Sequence, residues 1–236
     1  MSKKKGNGNI GNGNISNENI KDVNKKDGKI IVQAKTPNQK LFLKAIKENI
    51  ITIVHGVCGT GKTRLAVLSG LRDFKQGKYD KLIFTRPCIE ANGESLGYLP
   101  GDLNEKIHPY MLPIFDFLSE YLEIGPINHY MKENKIVTLP LAYHRGLTFR
   151  NAFVIGDEFQ NTTPEQVRMF LTRIGDNCKV VITGDPKQTD IRGKNGLVDA
   201  VERLQGVNNL GIVEFTEEDI LRNPIVIDIE KRYNNI

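Results

Sequence analysis

The chain has 236 residues, 39% of them apolar and 26% charged, with a formal net charge of +5 at pH 7; this suits one large α/β domain, or a domain with a tail, and is ordinary for a soluble globular protein. No run approaches the ~18 apolar residues of a membrane span, and the polar N-terminus holds no apolar segment to act as a secretory signal. Cys58, Cys88 and Cys178 are widely separated, as are His55, His108, His129 and His144, so a disulfide framework or a Cys/His metal centre is not expected and a reducing cytoplasm is the expected location.

The chain opens on a tail. GNGNI, GNGNI and SNENI occupy residues 6–10, 11–15 and 16–20. Such pentads bury too little apolar surface to offset their ordering entropy, and one Ile per five residues matches neither the helix nor the strand period. Residues 1–28 are therefore predicted to be disordered, with ordering of the Ile ladder on a partner as the alternative. Residues 1–29 carry seven Lys against Glu18, Asp22 and Asp27, which leaves the rest of the chain close to neutral. Such an arm either touches phosphates or an anionic surface, or aids solubility.

Residues 29–236 are predicted to form the folded domain, with order beginning near IIVQ (30–33). Thr36-Pro37 reads as a helix start, Thr as cap and Pro in the first turn, and LFLKAIKENI follows at helical spacing. ITIVHG (51–56) is a buried strand running into a Gly-rich loop, and KTRLAVLSGLRDFKQG continues as a helix ending at Gly77. KLIFT (81–85) is the next strand, and residues 86–101 form a long loop. DLNEKIHPYMLPIFDFLSEYL is helical in pattern but interrupted by Pro109 and Pro113. Further strands are expected at 135–139, 152–157, 179–185 and 211–215, with helices between them. Short apolar strands alternating with helices mean a parallel sheet covered on both faces, a three-layer α/β/α fold.

The chemistry starts at residues 55–67, HGVCGTGKTRLAV. Gly56, four residues, then Gly61-Lys62-Thr63 is the pattern of a phosphate-binding loop. Its glycines let the backbone wrap close to phosphates, and the helix starting near Lys62 adds its positive dipole end. Lys62 would reach the β- and γ-phosphates, and the Thr63 hydroxyl would ligate Mg²⁺. The nucleotide contacts expected of this loop run through Gly56, Val57, Cys58, Gly59, Thr60, Gly61, Lys62, Thr63 and Arg64. In AFVIGDEFQ, Asp157 ends an apolar strand, where α/β sheets place ligand groups, and suits Mg²⁺; Glu158 is then the general base for water. In VVITGDPKQTD a second strand ends at Gly184-Asp185, and the Gln188 amide can hydrogen-bond both γ-phosphate and water.

HGVCGTGKT, FTRPCIEANGESLGYLPGDLNEK, LPLAYHRGLTFRNAFVIGDEFQNTTPEQVRMFLTRIG, VVITGDPKQTD and GLVDAVERL together resemble the PhoH-like (phosphate starvation-inducible) ATPases, in order from about residue 35 to the C-terminus. These are similar to the first RecA-like domain of superfamily-one helicases. The resemblance implies a P-loop NTPase with a mainly parallel RecA-like sheet, ATP and Mg²⁺ as cofactors, and action on RNA. It carries Lys62 and Thr63 to triphosphate and metal, Asp157 and Glu158 to metal and water, Gln188 to γ-phosphate sensing, and Gln39 to the position of an adenine-reading Gln. Val57-Cys58 stands where the family has Pro-Ala, Gly156 and Phe159 replace Leu and Ala, and DIRGKNGL is shorter than its counterpart.

Forty-eight residues follow Gln188, too few for the second jaw that supplies a helicase motor with an arginine. The expectation is a homo-oligomer, possibly a ring, in which a neighbour completes the site. Arg222, Arg173 and Arg145 match family positions for that arginine, Arg222 ranked first and Arg173 second. For RNA or single-stranded DNA the candidates are Thr85, Arg86 and Pro87 with the loop to Asp102, and Tyr143-His144-Arg145; Tyr98 and Tyr143 are the well-placed stackers. The leading reading is a Mg²⁺-dependent ATPase coupled to single-stranded nucleic acid. Slow nucleotide-switched assembly, and a nucleic-acid module held by the tail, are the alternatives.

Overall fold

The computed structural model describes residues 30–87 and 103–223, with 225, 226, 229 and 232. The predicted tail, and the segment from Cys88 to Asp102 with Tyr98, lie outside the described residues. Ile30 and Val32 pack against the core without entering a regular element. α1 (Pro37–Glu48) starts as the sequence implies: the Thr36 hydroxyl accepts the Gln39 N–H at 3.2 Å, and Pro37 fills the first turn. β1 (Ile51–Gly56), α2 (Lys62–Lys75) and β2 (Lys81–Thr85) follow at their expected places.

The next helix differs from expectation. α3 (Leu103–Ser119) runs through both Pro109 and Pro113. Each proline removes one backbone donor, yet Met111, Ile114 and Leu118 are at most 1% exposed, and their burial on one face offsets the lost bonds. A separate helix, α4 (Ile124–Lys132), precedes β3 (Ile136–Thr138), which is shorter than the run KIVTL implies because it pairs on one side only. β4 (Ala152–Gly156), α5 (Pro164–Leu171), β5 (Cys178–Gly184), α6 (Gly196–Arg203) and β6 (Leu210–Phe215) complete the order.

The six strands form one sheet, β3-β2-β4-β5-β1-β6, and every pairing is parallel. Alternate residues along a strand face opposite sides. Val54, Phe153, Ile155 and Val181 join Phe42 and Ile46 of α1, Leu65 and Leu71 of α2, and the buried residues of α3 and α4. Ile53, Val154, Val180 and Ile182 join Val167 and Phe170 of α5 and Leu197 and Ala200 of α6. The result is the three-layer α/β/α P-loop architecture. The carboxyl ends of β1, β4 and β5 lie side by side, so the residues just beyond them meet at one rim. Among the described residues no helix is long and apolar enough to cross a membrane.

Candidate active site

β1 ends at Gly56 and α2 begins at Lys62, so the predicted loop sits between a buried strand and a helix N-terminus. Gly59 and Gly61 hold φ of 74° and 83°, a left-handed conformation that costs a residue with a Cβ. Gly61 is the N-cap of α2 and brings no side-chain cap, so no side chain competes for the first N–H groups of the helix. Lys62 is 8% exposed, and its Nζ donates to the Gly56 carbonyl at 2.7 Å and the Val57 carbonyl at 2.6 Å. Burial lowers its pKa from the ordinary lysine value, against an opposing pull from Asp185, Cys58, Glu158 and Asp157.

Asp157 lies one residue beyond β4 and is 2% exposed. Its Oδ1 accepts from the Thr63 hydroxyl at 2.7 Å and from the Thr183 hydroxyl on β5. Its Oδ2 accepts from Arg86 Nε at 2.9 Å and from a second nitrogen of the same guanidinium. The Thr63 and Asp157 oxygens, 2.7 Å apart, are a hard donor pair. That set suits Mg²⁺, which takes one or two protein oxygens and fills its shell with phosphate and water. Among the described residues no three His, Cys, Asp or Glu side chains converge into a dedicated metal cage.

Glu158 adopts φ 59°, a strained value for a residue with a side chain. Its side chain is 45% exposed, and Oε2 accepts from Gln160 Nε2 at 2.6 Å. The other end of the same amide, Oε1, accepts the Asp185 N–H at 3.1 Å, while the Gln160 carbonyl accepts from the Thr189 hydroxyl at 3.0 Å. Gln160 thus ties Glu158 to the turn carrying Gln188, whose N–H donates to the Asp185 carbonyl at 2.9 Å. Gln160 and Thr183 belong to the site but drew no attention in the sequence. The polar pair after Asp157-Glu158 and the lone Thr in an apolar strand were the available signals.

One cavity of about 1020 Å³ is lined by Lys62, Thr63, Asp157, Glu158 and Gln188 at one end and by Gln39, Arg64 and Tyr121 among others. Half-buried Cys58 also lines it. Gln39 is 2% exposed and its amide is already engaged: Oε1 accepts the Lys35 N–H at 2.7 Å and Nε2 donates to the Thr60 carbonyl at 2.9 Å. It braces the phosphate loop from the cavity wall. Arg64 donates to Glu120 at 3.0 Å and to the Tyr121 hydroxyl at 2.7 Å.

The arginines separate. Leu221 N–H donates to the Gly59 carbonyl at 3.0 Å, and a Cβ built on Gly59 would lie 2.4 Å from Arg222 Nε. Arg222 therefore lies across its own chain's phosphate loop. Arg173 is at the opposite end of the sheet: its carbonyl accepts the Phe149 N–H at 2.8 Å, before β4 and β5 begin, and its Nε donates to the Met169 carbonyl at 3.3 Å. Arg145 is exposed. One expected nucleic-acid contact, Thr85, needs correction. Thr85 ends a strand flanked on both sides and is 0% exposed, so its side chain meets no external strand. The side chain of Arg86 is 14% exposed and turned onto Asp157. Pro87 is half-buried beside it.

A family model described as PhoH-like protein matches residues 31–234. The chain is 44% identical over 205 residues to a PhoH-like protein of Bacillus subtilis, covering 86% of this chain and 64% of that one. A PhoH-like protein of Synechocystis is also 44% identical over 205 residues, covering 86% and 62%. Protein PhoH of Escherichia coli is 39% identical over 198 residues, covering 82% and 56%. The chain thus spans less than two thirds of these relatives' length. A Sulfolobus solfataricus SWI2/SNF2 ATPase core in complex with dsDNA aligns over 67% of this chain and 33% of that one, with a TM-score of 0.40 and 14% identity, too loosely to inform the site. With its match extending over nearly the whole described domain, the chain belongs to the PhoH-like family.

Proposed function

We propose that the chain is a Mg²⁺-dependent ATPase coupled to RNA or another single-stranded nucleic acid. The observation that carries this reading is the convergence of Lys62, the Thr63–Asp157 pair, the Gln160-held Glu158 and Gln188 on one cavity. Lys62 and the first N–H groups of α2 bind the β- and γ-phosphates. Thr63 and Asp157 would hold Mg²⁺, which would supply positive charge to offset that of the phosphates. Glu158 accepts the proton of the attacking water, its carboxylate aimed by Gln160. Gln188 orients that water and reports the γ-phosphate. Arg222, lying on Gly59, serves its own chain's triphosphate, and Gln39 acts on the nucleotide through the loop it braces.

For nucleic acid, support comes from exposed Arg145 and from Tyr143, 49% exposed, on the turn after β3. Contacts of this kind are mainly to phosphates and fade with salt. Assembly into a homo-oligomer, a ring included, is proposed on Arg173, which can meet a nucleotide only across a subunit contact. The test is phosphate release from ATP with and without Mg²⁺ and poly(U). Release that needs Mg²⁺, rises with poly(U) and is abolished by Lys62→Ala supports the reading. Release indifferent to poly(U) removes the nucleic-acid half, and ATP binding indifferent to Lys62→Ala removes the whole.

A further inference from the structure

We propose that Arg86 is the exchangeable counter-ion of Asp157: it positions the carboxylate until a divalent cation claims that negative charge, and is then released to the phosphate backbone of a single-stranded nucleic acid. The inference rests on the reading of Asp157 as the metal carboxylate. A carboxylate 2% exposed needs charge compensation. Oδ1 already accepts two hydroxyl donors, from Thr63 and Thr183, and Oδ2 takes two N–H groups of one guanidinium. A cation drawn to this carboxylate meets a guanidinium already on it. A cation on the Thr63–Oδ1 side and a guanidinium on Oδ2 compete for one buried negative charge and repel across it, so metal binding loosens the arginine.

The released guanidinium has a defined neighbourhood. Glu158 Oε1 lies 3.9 Å from an Arg86 nitrogen. The Arg86 carbonyl accepts the Leu141 N–H at 3.0 Å, the first residue of the turn that carries exposed Tyr143 and Arg145. Arg86 therefore stands between the metal carboxylate and the turn that presents Tyr143 and Arg145. It cannot serve Asp157 and a phosphodiester together. Metal–nucleotide binding and strand binding then strengthen each other, and by linkage the factor is the same in both directions.

The test uses the full chain as wild type, Arg86→Gln and Arg86→Lys. Two quantities are measured: the Mg²⁺ concentration that half-saturates binding of a fluorescent ATP analogue, and oligo(U) affinity with and without Mg²⁺ and a non-hydrolysable ATP analogue. Arg86→Gln is expected to lower the Mg²⁺ midpoint by roughly tenfold, the scale of one buried charge-assisted hydrogen bond, and to make oligo(U) affinity independent of nucleotide. Arg86→Lys keeps the charge but loses the fork, so the midpoint falls less; it keeps the test decisive should the glutamine variant unfold. An unchanged or raised midpoint in a folded variant, or a linkage factor equal to wild type, overturns the proposal. If Lys62→Ala weakens ATP binding while Arg86→Gln leaves the midpoint in place, the proposal alone fails. If Lys62→Ala leaves ATP binding intact, the nucleotide-site reading falls with it.

Discussion

His144 is 0% exposed, with the rings of Phe149 and Phe170 at 5.2 and 5.8 Å between centroids. Burial lowers its pKa from 6.5 to about 4. An unfolded chain takes up this proton near pH 6.5 and the folded chain only near pH 4, so stability falls as pH drops through that window and levels below it. The loss is on the order of 3 kcal/mol. A series of denaturant titrations from pH 7 to 4 should show it, and His144→Met should flatten that part of the curve; an identical slope in the variant contradicts the assignment. Gln160 offers a second prediction. Gln160→Leu removes the bond that aims Glu158, so kcat should fall by roughly tenfold or more while ATP affinity holds. Loss of affinity instead would make Gln160 a structural residue. Lys62, Thr63, Asp157, Glu158 and Gln188 were legible because a loop pattern and strand-end positions are sequence properties. Arg86 on Asp157 was not: a long side chain chooses its carboxylate in three dimensions, and the pair is separated by 71 positions.

At the scale of elements, the strands were read well because β1, β2, β4 and β5 are short apolar runs buried on both faces. The edge strand β3 and the proline-containing α3 were read less well. Local pattern alone cannot say that one strand lacks a second partner, or that a buried stripe outweighs two missing donors. α3 yields a prediction. Pro113 is exposed and within the helix, so Pro113→Ala restores a donor without opening a cavity. The gain, about 3 kcal/mol from the helix less up to about 1 kcal/mol from the looser unfolded chain, should raise the melting temperature by several degrees. A lower melting temperature would mean that the proline is required for the helix's course.

At the scale of the molecule, the two first-ranked of the three candidate finger arginines lie at opposite ends of the sheet, Arg222 at the loop and Arg173 before β4 and β5. In a head-to-tail contact the surface that enters a neighbour's site differs from the one that holds a subunit's own site. Mixing Lys62→Ala with Arg222→Ala protein should therefore restore no ATPase activity, since each chain lacks a residue its own site needs; mixing Lys62→Ala with Arg173→Ala should restore part of it. Recovery in the first mixture would return Arg222 to a neighbour's site. The central claim is that these residues form a hydrolysis site and not merely a nucleotide pocket, and Glu158→Gln tests it most directly. ATP affinity and Mg²⁺-dependent turnover are measured together on wild type and variant. Affinity within about twofold of wild type with turnover reduced by roughly 10²-fold or more is the predicted result, and turnover equal to wild type would contradict it.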